Sequence, residues 1–342
     1  MVRHGQSTDN AAGRIQGRTD VSVLTDAGRQ MARKVAPALR GISIDHFYSS
    51  PLQRAAQTAQ EIADLSPHLP PIEKHEQLTE IDLRLWERML KSDIEAQYPE
   101  AYHLWLTNPS ALCMELPSEN GPIQHYPVQS LYDRIEGFWQ EILPQHQGQT
   151  VLIVAHNGVI RALISTALGL GADRYQVLRQ SNCGLNVLNF AGGWGEQVQL
   201  ESMNLTAHLD QPLPSRQSAE SIRLLLVRHG ETDWNRQSRF QGQIDIPLNE
   251  NGKAQAEKAA EFLKAVPIDE AVTSPMARPR QTAEVILRHH PELALQADDR
   301  LKEIGGIGPK RAERITSAWA DQKVIREIMV FLHEHGVGTA RA

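Results

Sequence analysis

Only two cysteines, Cys113 and Cys183, occur in 342 residues. They have no paired spacing and belong to no Cys/His zinc signature. A disulfide scaffold is thereby excluded, both are read as packing residues, and a reducing compartment is implied. Long apolar runs are missing as well. No stretch reaches the roughly 20 residues needed to span a bilayer, and no charged N-terminal region precedes a long apolar core. Neither a membrane helix nor a signal peptide is expected, and the protein is read as cytoplasmic. There is no excess of basic charge: 35 Lys and Arg against 41 Asp and Glu leave a net charge of -6. Without a global positive field, any contact with a polyanion has to come from a local patch. A Gly-x-x-x-x-Gly-Lys-Ser/Thr loop is absent too, so the chain has no P-loop ATPase or helicase engine. What is present, 41% hydrophobic residues, suffices for two or three domains that each bury a core.

Comparison of the chain with itself shows an internal repeat. "MVRHGQSTDN" at the start returns as "LVRHGETDWN" at Leu226 to Asn235. "GRIQGRTDVSVLTDAGRQMA" from Gly13 parallels "SRFQGQIDIPLNENGKAQA" from Ser238, and "SSPLQRAAQTAQEI" from Ser49 parallels "TSPMARPRQTAEVI" from Thr273. "LTEI" at Leu78 to Ile81 matches "LKEI" at Leu301 to Ile304. The predicted organisation is therefore a first domain at 1–205, a polar, proline-containing linker at 206–221, an incomplete second copy at 222–304 and a different tail at 305–342.

Within the first copy, Thr25 caps a helical pattern that runs to Arg40, "IDHFYSS" reads as a short buried strand, and Pro51 opens a second helix. "TVLIVAHNG" at Thr150 to Gly158 is another buried strand, followed by a helical "VIRALISTAL" and then by strand-like "GLNVLNF" and "VQLESMN". This alternation predicts an α/β fold with a mostly parallel sheet, with ligands at the strand ends.

An Arg-His-Gly at the end of a buried strand puts an imidazole and a guanidinium where backbone can come close. A histidine that attacks phosphorus needs a neutral ring nitrogen, cations for the phosphoryl oxygens and an acid for the leaving oxygen. The first copy offers His4, then Arg3, Arg54 and His156, and finally Glu80, with Glu87 as the reserve acid. Arginine suits the task because its planar fork binds two phosphate oxygens. Taken singly, these residues have bland readings: buried or surface histidines, a solvated helix arginine, a surface acid. Trp86, Tyr98, Tyr102 and Trp105, at roughly helical spacing, read as core or lid packing.

Together, "VRHGQS", "SSPLQRAAQTA", "LTEIDLRLWE" and "AHNG", in that order across nearly all of Met1 to Asn204, resemble the histidine phosphatase superfamily, in its phosphoglycerate mutase-like branch. The two-copy layout is similar to tandem cyanobacterial proteins of that family. The resemblance implies a three-layer α/β fold and a phosphohistidine at His4. Arg3, Arg54 and His156 would form the phosphate pocket, and Glu80 would protonate the leaving group and then activate water. Asn10, Gln16 and Gly17 would line the pocket, with backbone beside Asn157 and Gly158 donating to phosphate. No metal or other cofactor is implied, because side chains supply the cations. The substrate would be a small phosphorylated metabolite. Hydrolysis is expected over mutase activity, since the segment from Lys91 to Gln129 has no arginine pair to hold a re-orienting substrate.

Three departures carry expectations of their own. Arg88 stands where the family commonly has a small residue, and with Arg84 near the acid loop it is expected to alter substrate choice or to lower the Glu80 pKa. Only Met1 and Val2 precede Arg3, whereas "IRLLLV" precedes Arg228, so either His4 is held loosely or its strand starts upstream of Met1. The second copy keeps Arg228, His229, Asn235, Arg278 and Glu303 on a full first strand but lacks a second histidine, and is expected to be inactive. Finally, "GGIGPKRAERI" at Gly305 to Ile315 resembles a helix-hairpin-helix, and its extension is similar to RecD-like DNA helicases. That resemblance implies weak DNA contact through backbone amides, Lys310 and Arg311, or else a fused tail. The competing reading is thus a degenerate phosphatase scaffold that presents this hairpin to DNA.

Overall fold

The computed structural model describes residues 1–302 apart from 217, 219 and 240. It divides the chain into two compact units, the first covering Met1–Pro214 and the second starting at Ser215. Among the described residues, no helix is long and apolar enough to cross a membrane.

The first unit begins with β1 (Val2–Arg3), α1 (Thr8–Ala11), α2 (Asp26–Ala38), β2 (His46–Ser49), α3 (Gln53–Asp64) and β3 (Ile72–Lys74). A middle segment follows, with α4 (Lys91–Gln97), α5 (Pro99–Thr107), β4 (Met114–Leu116), β5 (Ile123–His125) and α6 (Pro127–Ile142). It closes with β6 (Val151–Ala155), α7 (Asn157–Ala167), β7 (Leu185–Phe190) and β8 (Val198–Leu205). Six strands form one sheet in the order β3-β2-β6-β1-β7-β8. The first four are mutually parallel, β7 runs antiparallel to β1, and β8 runs antiparallel to β7. This is the expected mixed α/β fold in three layers.

The central strands β2 and β6 are buried on both faces, which is why β6 reads as a continuous apolar run. Successive side chains point to opposite sides. Leu152 and Val154 of β6 join Phe47, Ala32, Val35, Ala59 and Ile62 under α2 and α3. Ile153 and Ala155 join Tyr48, Leu131, Ile135, Phe138, Val159 and Leu163 under α6 and α7. Trp86 sits in that second core against Tyr102 and Trp105, whereas Tyr98 is exposed. The Thr25 hydroxyl caps α2 by accepting the Gly28 N–H at 3.0 Å. Pro51, expected to open α3, instead stands two residues before it; the Leu52 N–H is taken by the Ser50 hydroxyl, and Leu52 becomes the cap.

Two residues of β1 are enough to hold His4. Val2 pairs with Val154 on one side and Leu185 on the other, the His4 N–H reaches the Ala155 carbonyl at 2.9 Å, and Cys183 N–H reaches the Arg3 carbonyl at 2.9 Å. A strand between two partners gains ladder bonds on both edges, so its length matters less than its position. The expectation of a loosely held His4 is therefore corrected.

The second unit contains α8 (Asp233–Arg236), α9 (Glu250–Leu263), β9 (Ala271–Thr273), α10 (Ala277–Leu287) and β10 (Leu295–Ala297), the two strands pairing in parallel. The full first strand expected at "IRLLLV" is not there. Residues 222–227 form no strand, and Ile222, Leu224, Leu226 and Val227 are 62%, 47%, 84% and 48% exposed. The reason lies in the partners. In the first unit β1 is held by β6 and β7, and the described residues of the second unit supply no counterpart of either.

Candidate active site

The loop after β1 is built around glycine. A Cβ on Gly5 would lie 2.3 Å from the Gly28 carbonyl oxygen, so only glycine lets this loop cross the start of α2. His4 follows β1 directly and is buried. Its Nδ1 lies 2.7 Å from the Gly5 carbonyl oxygen. A carbonyl only accepts, so Nδ1 carries the proton and Nε2 keeps the lone pair. Burial, and then the charges of Arg3 and Arg54, hold the His4 pKa well below 6.5, which keeps the ring neutral.

Two arginines converge on this ring. Arg54, on the first turn of α3, is fully buried and donates from Nη1 to the Thr19 carbonyl at 3.0 Å and from Nη2 to the Gly17 carbonyl at 2.8 Å. Arg3 donates from Nη1 to the Gln180 carbonyl at 2.7 Å. Burial pulls Arg3 down to about 10, an effect the nearby Glu80 carboxylate opposes. In both arginines the buried Nε–H has no partner among the described residues. His156, the cap residue of α7, packs edge-on to His4 with ring centroids 5.2 Å apart. Burial, then Arg54 and His4, hold its pKa far below 6.5 too.

Glu80 closes the group. Its Oε1 accepts the Ile81 N–H at 2.9 Å and its Oε2 accepts the Gly158 N–H at 3.2 Å, at the start of α7. A Cβ on Gly158 would fall 2.5 Å from both Glu80 Oε1 and the Tyr175 hydroxyl, so the carboxylate rests directly on that glycine. The structure thus brings His4, Arg3, Arg54, His156, Glu80 and Gly158 together. The expected pocket residues Asn10 and Gln16 each use their side-chain oxygen to brace the loop. Asn10 Oδ1 accepts the Ser7 N–H at 3.3 Å and an Asn182 side-chain N–H at 3.1 Å, while Gln16 Oε1 accepts the Ser7 hydroxyl at 2.9 Å. Gly17 sits at φ 55° against Glu87, where a Cβ would be 2.3 Å from Oε1. The Asn157 side-chain oxygen is buried without a partner among the described residues. Glu87 is engaged by the Arg18 N–H at 2.6 Å.

The charges around the acid loop have partners that its sequence did not reveal. Arg84 is committed to Asp82, with Nε 3.0 Å from Oδ1. Arg88 stands at φ 64°, the left-handed region that a glycine occupies without strain, and its carbonyl accepts from Arg14 at 2.6 Å. Arg134 of α6 donates to the Thr79 hydroxyl and to the Glu80 carbonyl, and Arg18 also donates to that carbonyl at 3.2 Å. Burial, and then Arg18, pull Arg134 down to about 10. Arg161 of α7 donates to Gln176 Oε1 at 2.7 Å and lies over the Tyr175 ring. Arg134 and Arg161 sit in helical runs whose periodicity carries no mark of a site.

The second unit repeats this wiring in part. Gly230 meets Gly252 as Gly5 meets Gly28, with a Cβ 2.3 Å from its carbonyl oxygen. His229 Nδ1 bonds the Gly230 carbonyl at 2.7 Å, and Arg278 donates to the Ile244 and Gly242 carbonyls at 2.9 and 2.8 Å. Asn235 forms a capping box with Thr232, and Arg228 is exposed. One difference is chemical: Arg278 Nε donates to His229 Nε2 at 3.2 Å, which occupies the lone pair that His4 leaves open. No counterpart of His156 at a strand end occurs among the described residues of this unit. Glu303 and the hairpin reading of Gly305–Ile315, with Lys310 and Arg311, lie outside the described residues.

A sequence model of the histidine phosphatase superfamily (branch 1) matches residues 1–205 and 224–333. The chain belongs to this family. It is 38% identical over 294 residues to a wheat (Triticum aestivum) protein named 2-carboxy-D-arabinitol-1-phosphatase, covering 84% of this chain and 56% of that one. The chain thus spans little more than half the length of that relative. It is 30% identical to phosphoserine phosphatase 1 of Hydrogenobacter thermophilus, over 62% of this chain and 93% of that protein. Among solved structures, a phosphoserine phosphatase from Entamoeba histolytica in complex with 3-phosphoglyceric acid matches with a TM-score of 0.50 and 28% identity, covering 61% of this chain and 96% of that one.

Proposed function

We propose that this chain is a phosphomonoesterase that works through a phosphohistidine on His4. One observation carries the reading: a buried, neutral His4 with no hydrogen bond to its Nε2 among the described residues feels the charges of Arg3 and Arg54, whose buried Nε–H groups have no partner among the described residues either. Nε2 attacks phosphorus, the bond from phosphorus to the leaving oxygen breaks, and Glu80 gives that oxygen its proton. Water then attacks the phosphohistidine, passes a proton to Glu80 and releases inorganic phosphate with a neutral His4. Arg3, Arg54 and His156 hold the phosphoryl oxygens throughout, as fixed donors do where charge develops. The segment from Lys91 to Gln129 holds no arginine, which favours hydrolysis over retention of the phosphoryl group by a mutase.

The leaving group is proposed to carry a carboxylate. The relatives' names refer to compounds that bear a carboxylate beside the phosphate. Arg134 and Arg161, each interacting with the Glu80 region or its neighbour Tyr175, have no carboxylate in ion-pair contact among the described residues. The residues from 222 to 304 are proposed to be an incomplete, inactive copy of the first domain, the linker expected at 206–221 beginning in the first unit, where Leu209 joins the core under α2 and α3. The shared wiring at His229 and the family match from 224 support this.

The test is hydrolysis of p-nitrophenyl phosphate in chelator by the intact chain, His4→Ala and His229→Ala. Activity should vanish with His4→Ala alone; retention in that variant would sink the proposal. The substrate class is read by comparing phosphoserine with phosphoethanolamine, which lacks only the carboxylate. A preference of about 10-fold or more in kcat/KM is expected from one charge-assisted hydrogen bond, and equal rates would refute the carboxylate.

A further inference from the structure

Ser50 lies just beyond the end of β2 and is fully buried, as is His156. Its hydroxyl oxygen accepts the Leu52 N–H at 3.3 Å and stands 2.7 Å from His156 Nε2. The other ring nitrogen, Nδ1, is buried without a partner among the described residues. A neutral imidazole carries one proton, and the two placements differ in what they leave unmet. With the proton on Nε2, Ser50 would accept twice. Its own proton would then have no acceptor among the described residues, and Nδ1 would offer a phosphoryl oxygen only a repelling lone pair. With the proton on Nδ1, the chain of donation runs from Leu52 N–H to Ser50 and from the Ser50 hydroxyl to Nε2, so both are satisfied.

Resting on the phosphohistidine reading above, we infer that Ser50 is a positioning residue that fixes His156 in the Nδ1–H form and makes it a donor to the phosphoryl group. His4 and His156 then hold the same tautomer but use opposite nitrogens. His4 ties its Nδ1–H to Gly5 and leaves a nucleophilic lone pair, whereas His156 ties its lone pair to Ser50 and leaves an N–H. A backbone carbonyl in one case and a serine hydroxyl in the other convert equal rings into a nucleophile and a clamp.

The tautomer can be read directly in the full chain with 15N-labelled histidine. Long-range 1H–15N spectra at neutral pH report which ring nitrogen is protonated, with His156 assigned through His156→Gln. The wild type is expected to show His156 protonated on Nδ1. Ser50→Ala should move that proton to Nε2 and lower kcat/KM on the order of 10-fold. A wild-type His156 protonated on Nε2 overturns the inference, whether or not Ser50→Ala folds. An unchanged spectrum in a folded Ser50→Ala also overturns it. A wild type inactive on every phosphate ester but with the expected spectrum would instead count against the enzymatic reading and leave the role of Ser50 in place.

Discussion

The contact between Gly158 and Glu80 makes the strongest quantitative prediction. In Gly158→Ala the new methyl would fall 2.5 Å from Glu80 Oε1 and from the Tyr175 hydroxyl, where ordinary contact begins at 3.4 Å. The Glu80 carboxylate or the helix start has to shift by close to an ångström, and the bond from the Gly158 N–H is strained or lost. Displacement of a reacting group by about 1 Å costs roughly 100-fold in rate. Stability changes less: overpacking costs about 1–3 kcal/mol, and replacing glycine by alanine in a helix returns about 1 kcal/mol. Each remaining kcal/mol lowers Tm by about 2–4 °C for a unit of this size. The substitution should therefore leave the protein folded and slow. Because Glu80 is proposed to protonate the leaving oxygen, the loss in kcat/KM should be large for an alkyl phosphate and small for p-nitrophenyl phosphate, whose leaving group needs little help. Equal losses on both substrates would refute the assignment of Glu80 as the acid, and a folded variant of undiminished activity would refute the packing argument itself.

Three further outcomes follow from the same structure. His4 and His156 are buried with pKa values held well below 6.5, so the unfolded chain binds protons that the folded one does not once the pH falls below about 6.5. Unfolding free energy should fall toward acid by up to about 2.7 kcal/mol per pH unit from these two groups together, and denaturant titrations of His156→Gln should show roughly half that slope. Cys183 is fully buried and its thiol is pushed up to about 12 by burial, so a thiol reagent should label it only after unfolding; rapid native labelling, located by mass spectrometry, would contradict the packing around β1. Replacing Arg134 with Gln should weaken the preference for phosphoserine over phosphoethanolamine by about 10-fold while sparing p-nitrophenyl phosphate, and an unchanged ratio would place the carboxylate elsewhere.

Much of this protein can be read from its sequence because the relevant signals are local. Buried strands such as Val151–Ala155 announce themselves as apolar runs, Thr25 marks a helix start, and the repeated Arg-His-Gly marks two loops where glycine is forced by a close approach. The order of four short motifs was enough to gather His4, Arg54, Glu80 and His156 into one site. What the sequence could not show was what stands opposite each group. Two residues suffice for β1 because β6 and β7, more than 145 residues away, hold both its edges, while the longer run at Ile222–Val227 forms no strand where the described residues offer no such partners. Arg88 looked like added charge and proved to be a residue in left-handed backbone, and Arg84 is spent on Asp82. The choice of which nitrogen of each histidine is free rests on one carbonyl and one hydroxyl. Periodicity and motif spacing record which residue types recur, and that is a property of the chain alone. Ladder partners, the direction of a hydrogen bond and the charge facing a guanidinium depend on segments distant in sequence, and only the folded structure sets them.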